Sequence, residues 1–152
     1  MLGLRAHSRV ELLRKLGRRG YTSDEIDSAM VRLNELGYLN DRSFAEGLVR
    51  YRSASRGPRA LSAELAARGV DRARADAAVA GFDSEAQLAS ATLLAGRLYA
   101  RKPAAGYREM LDSVGAKLMR RGFSADTVRA ACQTVLSGAQ VRPEDLAPPP
   151  AV

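Results

Sequence analysis

Residues 11–30 read ELLRKLGRRGYTSDEIDSAM, and two later stretches share their pattern: ALSAELAARGVDRARADAAV at residues 60–79 and SVGAKLMRRGFSADTVRAAC at residues 113–132. Each stretch contains a glycine with an arginine directly before it and a leucine four residues before it; these glycines are Gly20, Gly69 and Gly122. They recur at intervals of about 50 residues, a period that is typical of tandem helical arrays. The sequence therefore predicts three related helical units.

The spacing of apolar residues around these glycines predicts two helices in each unit. Apolar residues stand four and eight positions before each glycine, and six, ten and thirteen positions after it. Each glycine is expected to end the first helix in the left-handed conformation, and the next residue, such as Tyr21, to pack back on that helix. Helix-start signals are present at Ser8 with Glu11, Thr22 with Glu25, Asp71 and Ser124.

A third helix is predicted in each of the first two units. In the first unit, Asn40 or Asp41 caps a helix that carries Phe44, Leu48 and Tyr51 at helical spacing. This spacing favours a core position for Tyr51, and a role as an interface anchor is the alternative.

These units predict an all-α fold, an elongated tandem array of three-helix repeats with about eight helices and an incomplete last repeat. Gly57 and Pro58 mark the first join, because proline suits the first position of a helix and not its interior. The predicted units are residues 1–56, 57–102 and 103–137. The proline-rich stretch that follows, residues 138–152, is expected to be a disordered tail.

The composition argues against several functional classes. Cys132 is the only cysteine and His7 the only histidine, so the chain can form neither an internal disulfide nor a zinc site built from Cys and His clusters. No apolar run approaches the ~18 residues that a membrane-spanning helix needs, and the first residues have no secretory signal pattern. We therefore expect a cytosolic protein that is not an enzyme and that needs no cofactor or metal.

The remaining signal is positive charge, carried almost entirely by arginine. The formal net charge is +7, and lysine occurs only at Lys15, Lys102 and Lys117. Such a balance favours an anionic partner, either nucleic acid or an acidic protein face. The arginines predicted to bind the partner or its phosphates are Arg14, Arg18, Arg19, Arg42, Arg50, Arg52, Arg56, Arg59, Arg120 and Arg121.

A simpler interpretation exists for some of these arginines. A cation in the last turn of a helix complements the helix dipole by about 0.3–1 kcal/mol, which would account for Arg19, Arg68 and Arg121. It accounts less well for the four arginines from Arg50 to Arg59, which continue across the Gly-Pro join. Glu46 has the spacing to pair with Arg50. Few amide or free aromatic side chains are available, so any nucleic-acid contact is expected to involve the backbone phosphates.

The middle of the chain resembles the signature of the RecX regulatory proteins. The motif residues lie in GYLNDRSFAEGLVRYR, residues 37–52, and in RGPRALSAELAARGV, residues 56–70; the segment HSRVELLRKLGRRGYTSDEID, residues 7–27, is similar to the amino-terminal unit of that family. The resemblance covers about residues 5–137. The positions that carry it include Gly37, Tyr38, Asp41, Phe44, Tyr51, Gly57 and Pro58.

This resemblance implies a monomeric, cytosolic modulator of the RecA recombinase that acts in DNA repair, homologous recombination and the SOS response. Proteins of the family lie along the groove of the RecA–DNA filament and dampen strand exchange, ATP hydrolysis and coprotease activity. The partner would be RecA, with possible contacts to the DNA backbone. The alternatives are a helical protein that binds DNA without sequence specificity, and an adaptor for an acidic protein.

The chain departs from the family pattern at two positions. Asn40 replaces the first aspartate of the usual pair, and Ser43 stands where an arginine is usual, with Arg42 one position earlier. Adjacent helical positions point about 100° apart, so a contact made by the family's arginine does not transfer directly to Arg42.

Overall fold

The structure is a computed structural model that describes residues 7–140. Within this range every regular element is helical, and the eight helices confirm the all-α prediction. The first six are α1 Arg9–Arg18, α2 Ser23–Glu35, α3 Asp41–Arg52, α4 Pro58–Ala67, α5 Arg72–Ala80 and α6 Ser84–Arg101. Helix α7 is continuous but composite, with an α-helical start at Tyr107–Met110, a π-helical turn at Leu111–Gly115 and an α-helical end at Ala116–Arg120; α8 is Ala125–Gln140.

The described helices form two compact units, α1 to α5 ending at Asp83 and α6 to α8 beginning at Ser84. This division differs from the predicted repeats. The predicted unit 57–102 includes α6, but α6 packs along α8 in the second compact unit. Residues 138–140 belong to the predicted tail but continue α8, since Ala139 and Gln140 favour a helix and the first proline of the tail is Pro143. The rest of the tail, 141–152, lies outside the described residues, as do residues 1–6.

The predicted helix-ending glycines are confirmed. Gly20, Gly69 and Gly122 have φ values of 85°, 81° and 94°, and Gly37 shares this conformation with φ 77°. After Gly69, the backbone N–H of Val70 donates to the carbonyl of Leu65 at 3.1 Å, the six-to-one bond of a Schellman motif. The same bond follows Gly37 and Gly122. Local backbone preference therefore sets the turn between the paired helices.

The predicted helix starts are also confirmed. Ser8 with Glu11 and Thr22 with Glu25 form complete capping boxes, and Asp71 caps α5. Ser124 Oγ accepts from the backbone N–H of Thr127, which caps α8, and Pro58 occupies the first turn of α4 behind Gly57. Of the two candidates for α3, Asn40 is the cap, and its Oδ1 accepts from Ser43 N at 3.0 Å.

In the first unit, the core lies where α3, α4 and α5 meet. Phe44, Leu61 and Leu65 are buried there, and Val70 packs back below Gly69 as predicted. The corresponding expectation for Tyr21 is wrong, since this side chain is half exposed. A tyrosine tolerates that position because one end of its side chain is polar.

In the second unit, the π-helical turn keeps one apolar stripe of α7 in the core. Met110, Val114 and Leu118, spaced four residues apart, are all buried. Apolar residues spaced by four drift around an α-helix of 3.6 residues per turn, and the wider i→i+5 turn offsets that drift. Cys132 on α8 is buried as expected of a small core residue, and burial raises the pKa of its thiol.

Candidate partner-binding surface

The arginine cluster, defined as Arg50, Arg52, Arg56 and Arg59, spans the end of α3, the following turn and the start of α4. Arg50 and Arg52 lie in the last turn of α3, where cations complement the helix dipole. Arg59 lies in the first turn of α4, which has no acidic residue and where the dipole disfavours a cation. Dipole complementarity therefore accounts for only part of the cluster.

Two arginines of the cluster are held by Glu64 on α4. The Glu64 carboxylate lies 3.6 Å from Arg52 Nη2, 4.0 Å from Arg56 Nε and 3.1 Å from Arg68 Nη2. Arg68 also donates to Glu11 Oε1 at 3.1 Å. Three guanidinium groups thus share two carboxylates, which leaves a surplus of positive charge at this place.

Arg50 and Arg59 have no ion pair with any carboxylate of residues 7–140. Both side chains are exposed. The predicted pair between Glu46 and Arg50 is wrong, because Glu46 Oε1 accepts instead from Arg42 Nε at 3.0 Å. The residue four positions before Glu46 has captured the carboxylate, so Arg50 keeps its charge available for another partner.

The other predicted arginines lie at separate places. Arg14 and Arg18 on α1 line, with His7, Glu11 and Lys15, a pocket of about 300 Å³. Arg19 caps the end of the same helix and is exposed. His7 is buried beside the Ser8 cap, and its Nε2 lies 3.4 Å from Lys15 Nζ. In the second unit, Arg120 Nε donates to the carbonyl of Ala116 at 3.3 Å, and Arg121 is exposed at the end of α7.

Tyr51 was predicted to lie in the core, and this prediction is wrong because 82% of the residue is exposed. Phe44 and Leu48 stand on the same face of α3, but burial decreases along that face from Phe44, which is 7% exposed, through the half-buried Leu48. The core therefore ends before the last turn of α3. The Arg52 guanidinium lies 5.8 Å from the centre of the Tyr51 ring, so the ring stands in a positively charged field.

The contacts that position α1 in the first unit have no motif in the sequence that would predict them. The Ser8 hydroxyl donates to the carbonyl of Arg68, and the backbone N–H of Arg9 donates to Asp41 Oδ1 at 2.9 Å. Among the interactions that surround Arg68, only its ion pair with Glu64 had a signal in the sequence, which is the i,i+4 spacing of the two residues. Asp41, a motif residue, therefore has an identifiable structural role, since it satisfies a free donor at the start of α1.

Two domain descriptions match this chain. The second three-helix domain of RecX matches residues 40–79, and the first three-helix domain of RecX matches residues 1–33. The second match spans α3, α4 and nearly all of α5, so the family description groups α3 with α4 rather than with α2.

A curated relative decides the identification. The regulatory protein RecX of Mycobacterium ulcerans (strain Agy99) is 36% identical over 140 residues, which cover 90% of this chain and 79% of that protein. The chain belongs to the RecX family. RecX proteins are a family of regulatory proteins, so this chain has a regulatory role and is not an enzyme.

Two further RecX proteins are similar to this chain. The regulatory protein RecX of Mycolicibacterium vanbaalenii is 43% identical over 89 residues, which cover 57% of this chain and 48% of that protein. The crystal structure of RecX from Lactobacillus salivarius has a TM-score of 0.78 and 25% sequence identity, and the match covers 90% of both chains. The helical RecX fold is therefore present over most of the chain.

Residues 7–140 contain neither a membrane-spanning helix nor a cluster of metal-binding side chains. None of the helices in this range is both long enough and apolar enough to cross a membrane. The same residues contain no group of three or more His, Cys, Asp or Glu side chains placed to hold a metal ion.

Proposed function

We propose that this RecX protein binds the RecA–DNA filament and inhibits the recombinase, ATPase and coprotease activities of RecA. The observation that carries the proposal is membership of the RecX family, whose signature residues lie in the segment from Gly37 to Val70. By this proposal the protein acts in the cytoplasm, in recombinational DNA repair and the SOS response.

The electrostatics of the first unit support an anionic partner. The arginine cluster joins two helices, and the exposed guanidinium groups of Arg50 and Arg59 form no ion pair with a carboxylate of residues 7–140. Guanidinium groups are weakly hydrated and match the geometry of carboxylates and phosphates. A filament that presents acidic side chains and DNA phosphates along its length is complementary to such a surface.

The ten predicted arginines do not contribute equally under this proposal. Arg52 and Arg56 already share Glu64, and Arg42 is paired with Glu46, so a partner must compete with an internal carboxylate for each of them. Arg50 and Arg59 carry no such cost, and we therefore assign the main partner contact to these two. Arg14, Arg18, Arg19, Arg120 and Arg121 are proposed as additional phosphate contacts.

ATP turnover by a RecA filament on single-stranded DNA tests this function. Near-stoichiometric wild-type protein should lower the steady-state rate. The double variant Arg50→Glu/Arg59→Glu should require at least about tenfold more protein for the same inhibition. An ATPase rate that the wild-type protein leaves unchanged would contradict the proposal.

A matched control separates the cluster from net charge. Arg97→Glu/Arg108→Glu changes the formal charge by the same amount at exposed arginines of the second unit, which have no ion pair in the described part of the chain. This control should inhibit ATP turnover like the wild-type protein. If both double variants lose inhibition equally, the total charge matters and the cluster has no special role.

The alternative function is sequence-independent binding to DNA alone, which the net charge of +7 favours. Such binding weakens with salt, with a log–log slope near −0.9 for each phosphate contact. Filament binding that persists at a salt concentration where naked-DNA binding has disappeared supports RecA as the partner. Equal loss of both activities with salt supports the alternative.

A further inference from the structure

Tyr51 is the most exposed of the large apolar and aromatic side chains between residues 7 and 140. It lies between Arg50 and Arg52 in the last turn of α3. Arg52 is held by Glu64 at 3.6 Å, which keeps its guanidinium beside the ring. The structure thus combines one open aromatic ring with several positive charges in a short segment.

We propose that Tyr51 stacks on a base of single-stranded DNA while Arg50 and Arg59 contact the adjacent phosphates. Non-specific single-strand binding combines these two features, because every base has a flat face and every nucleotide carries a phosphate. Residues 50–59 contain no asparagine or glutamine. This agrees with stacking, which needs no hydrogen bonds to base edges.

The surroundings of Tyr51 favour a nucleic-acid base over a protein pocket. Aromatic anchors of protein interfaces are usually surrounded by packed residues that exclude water. On α3 the neighbours of Tyr51 are instead Gly47, the flanking arginines and the half-buried Leu48. The other exposed apolar side chains of the first unit lie on or next to α2, such as Val31, and not on α3.

This inference extends the proposed function to the DNA part of the partner. It is tested with DNA in the absence of RecA, so its outcome is independent of the ATPase experiment. If the wild-type protein inhibits RecA but binds DNA with and without bases equally, the stacking inference is wrong and the proposed function stands. If it binds DNA with bases more tightly but does not inhibit RecA, the stacking inference stands and the proposed function is wrong.

The experiment compares two fluorescent oligonucleotides of equal length, one of deoxythymidine and one of abasic sites with the same phosphates. Wild-type protein should bind the deoxythymidine strand more tightly. Tyr51→Ala should weaken that binding by about fivefold or more and leave binding to the abasic strand unchanged. Tyr51→Phe, which keeps the aromatic ring, should bind both strands like the wild-type protein.

Two controls complete the test. Tyr38→Ala removes another exposed tyrosine, which precedes α3 and so lies at the opposite end of this helix, and it should leave both affinities unchanged. Arg59→Gln should weaken binding to both strands and reduce the salt dependence. Stacking is overturned if Tyr51→Ala binds both strands normally, if it weakens both equally, or if Tyr38→Ala causes the same loss.

A remaining outcome also decides the question. If Tyr51→Ala binds both oligonucleotides like the wild-type protein but no longer inhibits RecA, the ring anchors a protein contact and the inference is wrong. Circular dichroism measures the helix content of each variant. Tyr51→Ala should keep the helix content of the wild-type protein, because 82% of Tyr51 is exposed.

Discussion

A Cβ atom placed on Gly69 would lie 2.4 Å from the Cβ of Val10. Helix α1 therefore reaches the turn after α4 at a point where only a glycine leaves enough room. Gly69 also has φ 81°, a conformation that other residues adopt at a cost. Two independent requirements, one local and one tertiary, thus select the same residue.

Gly69→Ala should lower the free energy of unfolding by two separable terms. The left-handed backbone costs about 1–2 kcal/mol for a residue with a Cβ. Overlap with Val10 adds about 1–3 kcal/mol, because the Cβ of Val10 is fixed to the backbone and α1 itself must shift. Urea denaturation of the full chain measures the sum.

Gly20→Ala is the matched control for this prediction. Gly20 has φ 85°, but a Cβ at this position would meet nothing within 4 Å. This variant should therefore show only the backbone term. Equal losses for the two variants would mean that α1 shifts away from Gly69 at no cost. If Gly69→Ala loses more, adding Val10→Ala, which removes both Cγ atoms but keeps the Cβ, should recover only part of the difference.

Arg68→Gln should destabilise the first unit by about 2 kcal/mol. The Arg68 side chain is 21% exposed and joins Glu11 and Glu64, each 17% exposed, so the substitution leaves two mostly buried carboxylates without their shared cation. Its guanidinium also lies 6.0 Å from the centre of the Phe44 ring, and this contact is lost too. The free energy of unfolding at neutral pH is the measurement.

Arg72→Gln provides the comparison for an exposed ion pair. Arg72 pairs with Asp76 at 3.5 Å, but its side chain is 95% exposed. Removing this pair should change stability by no more than about 0.5 kcal/mol. A loss for Arg68→Gln that does not exceed this value would show that the Arg68 network is screened by solvent.

Cys132 should make the second unit less stable at alkaline pH. Burial raises the pKa of its thiol, so the folded chain keeps the thiol protonated to a higher pH than the unfolded chain does. The resulting contribution is fully present below the unfolded pKa, about 8.5, and is lost as the pH rises through the folded pKa. The expected decline is about 1.4 kcal/mol for each pH unit between the two pKa values.

The test compares the pH dependence of the unfolding free energy in the wild-type protein and in Cys132→Ala. The variant lacks this titration, so the stability difference between the two proteins should shrink as the pH rises above the usual range of a thiol. Tyrosine and lysine titrations are common to both proteins and cancel. A difference that stays constant up to pH 10 would contradict the prediction.

Of the candidate site, the sequence alone indicated the positive charge but not its distribution. That Arg50 has no ion pair among the described residues could not be derived from spacing, because Glu46 is within helical reach of both Arg42 and Arg50. The exposure of Tyr51 was likewise hidden, since its spacing from Phe44 is the spacing of a core residue. Spacing shows which face a residue occupies and not how far the neighbouring helices extend along it.

By itself, the sequence determined where most of the helices begin and which glycines end them. Capping boxes, N-caps and left-handed glycines act over three to six residues, so they can be read without knowing the fold. Only the tertiary structure decided that Arg68 binds Glu11, that α6 packs with α8, and that the core stops before Tyr51. These outcomes depend on the surfaces that distant helices bury together, which local spacing does not specify.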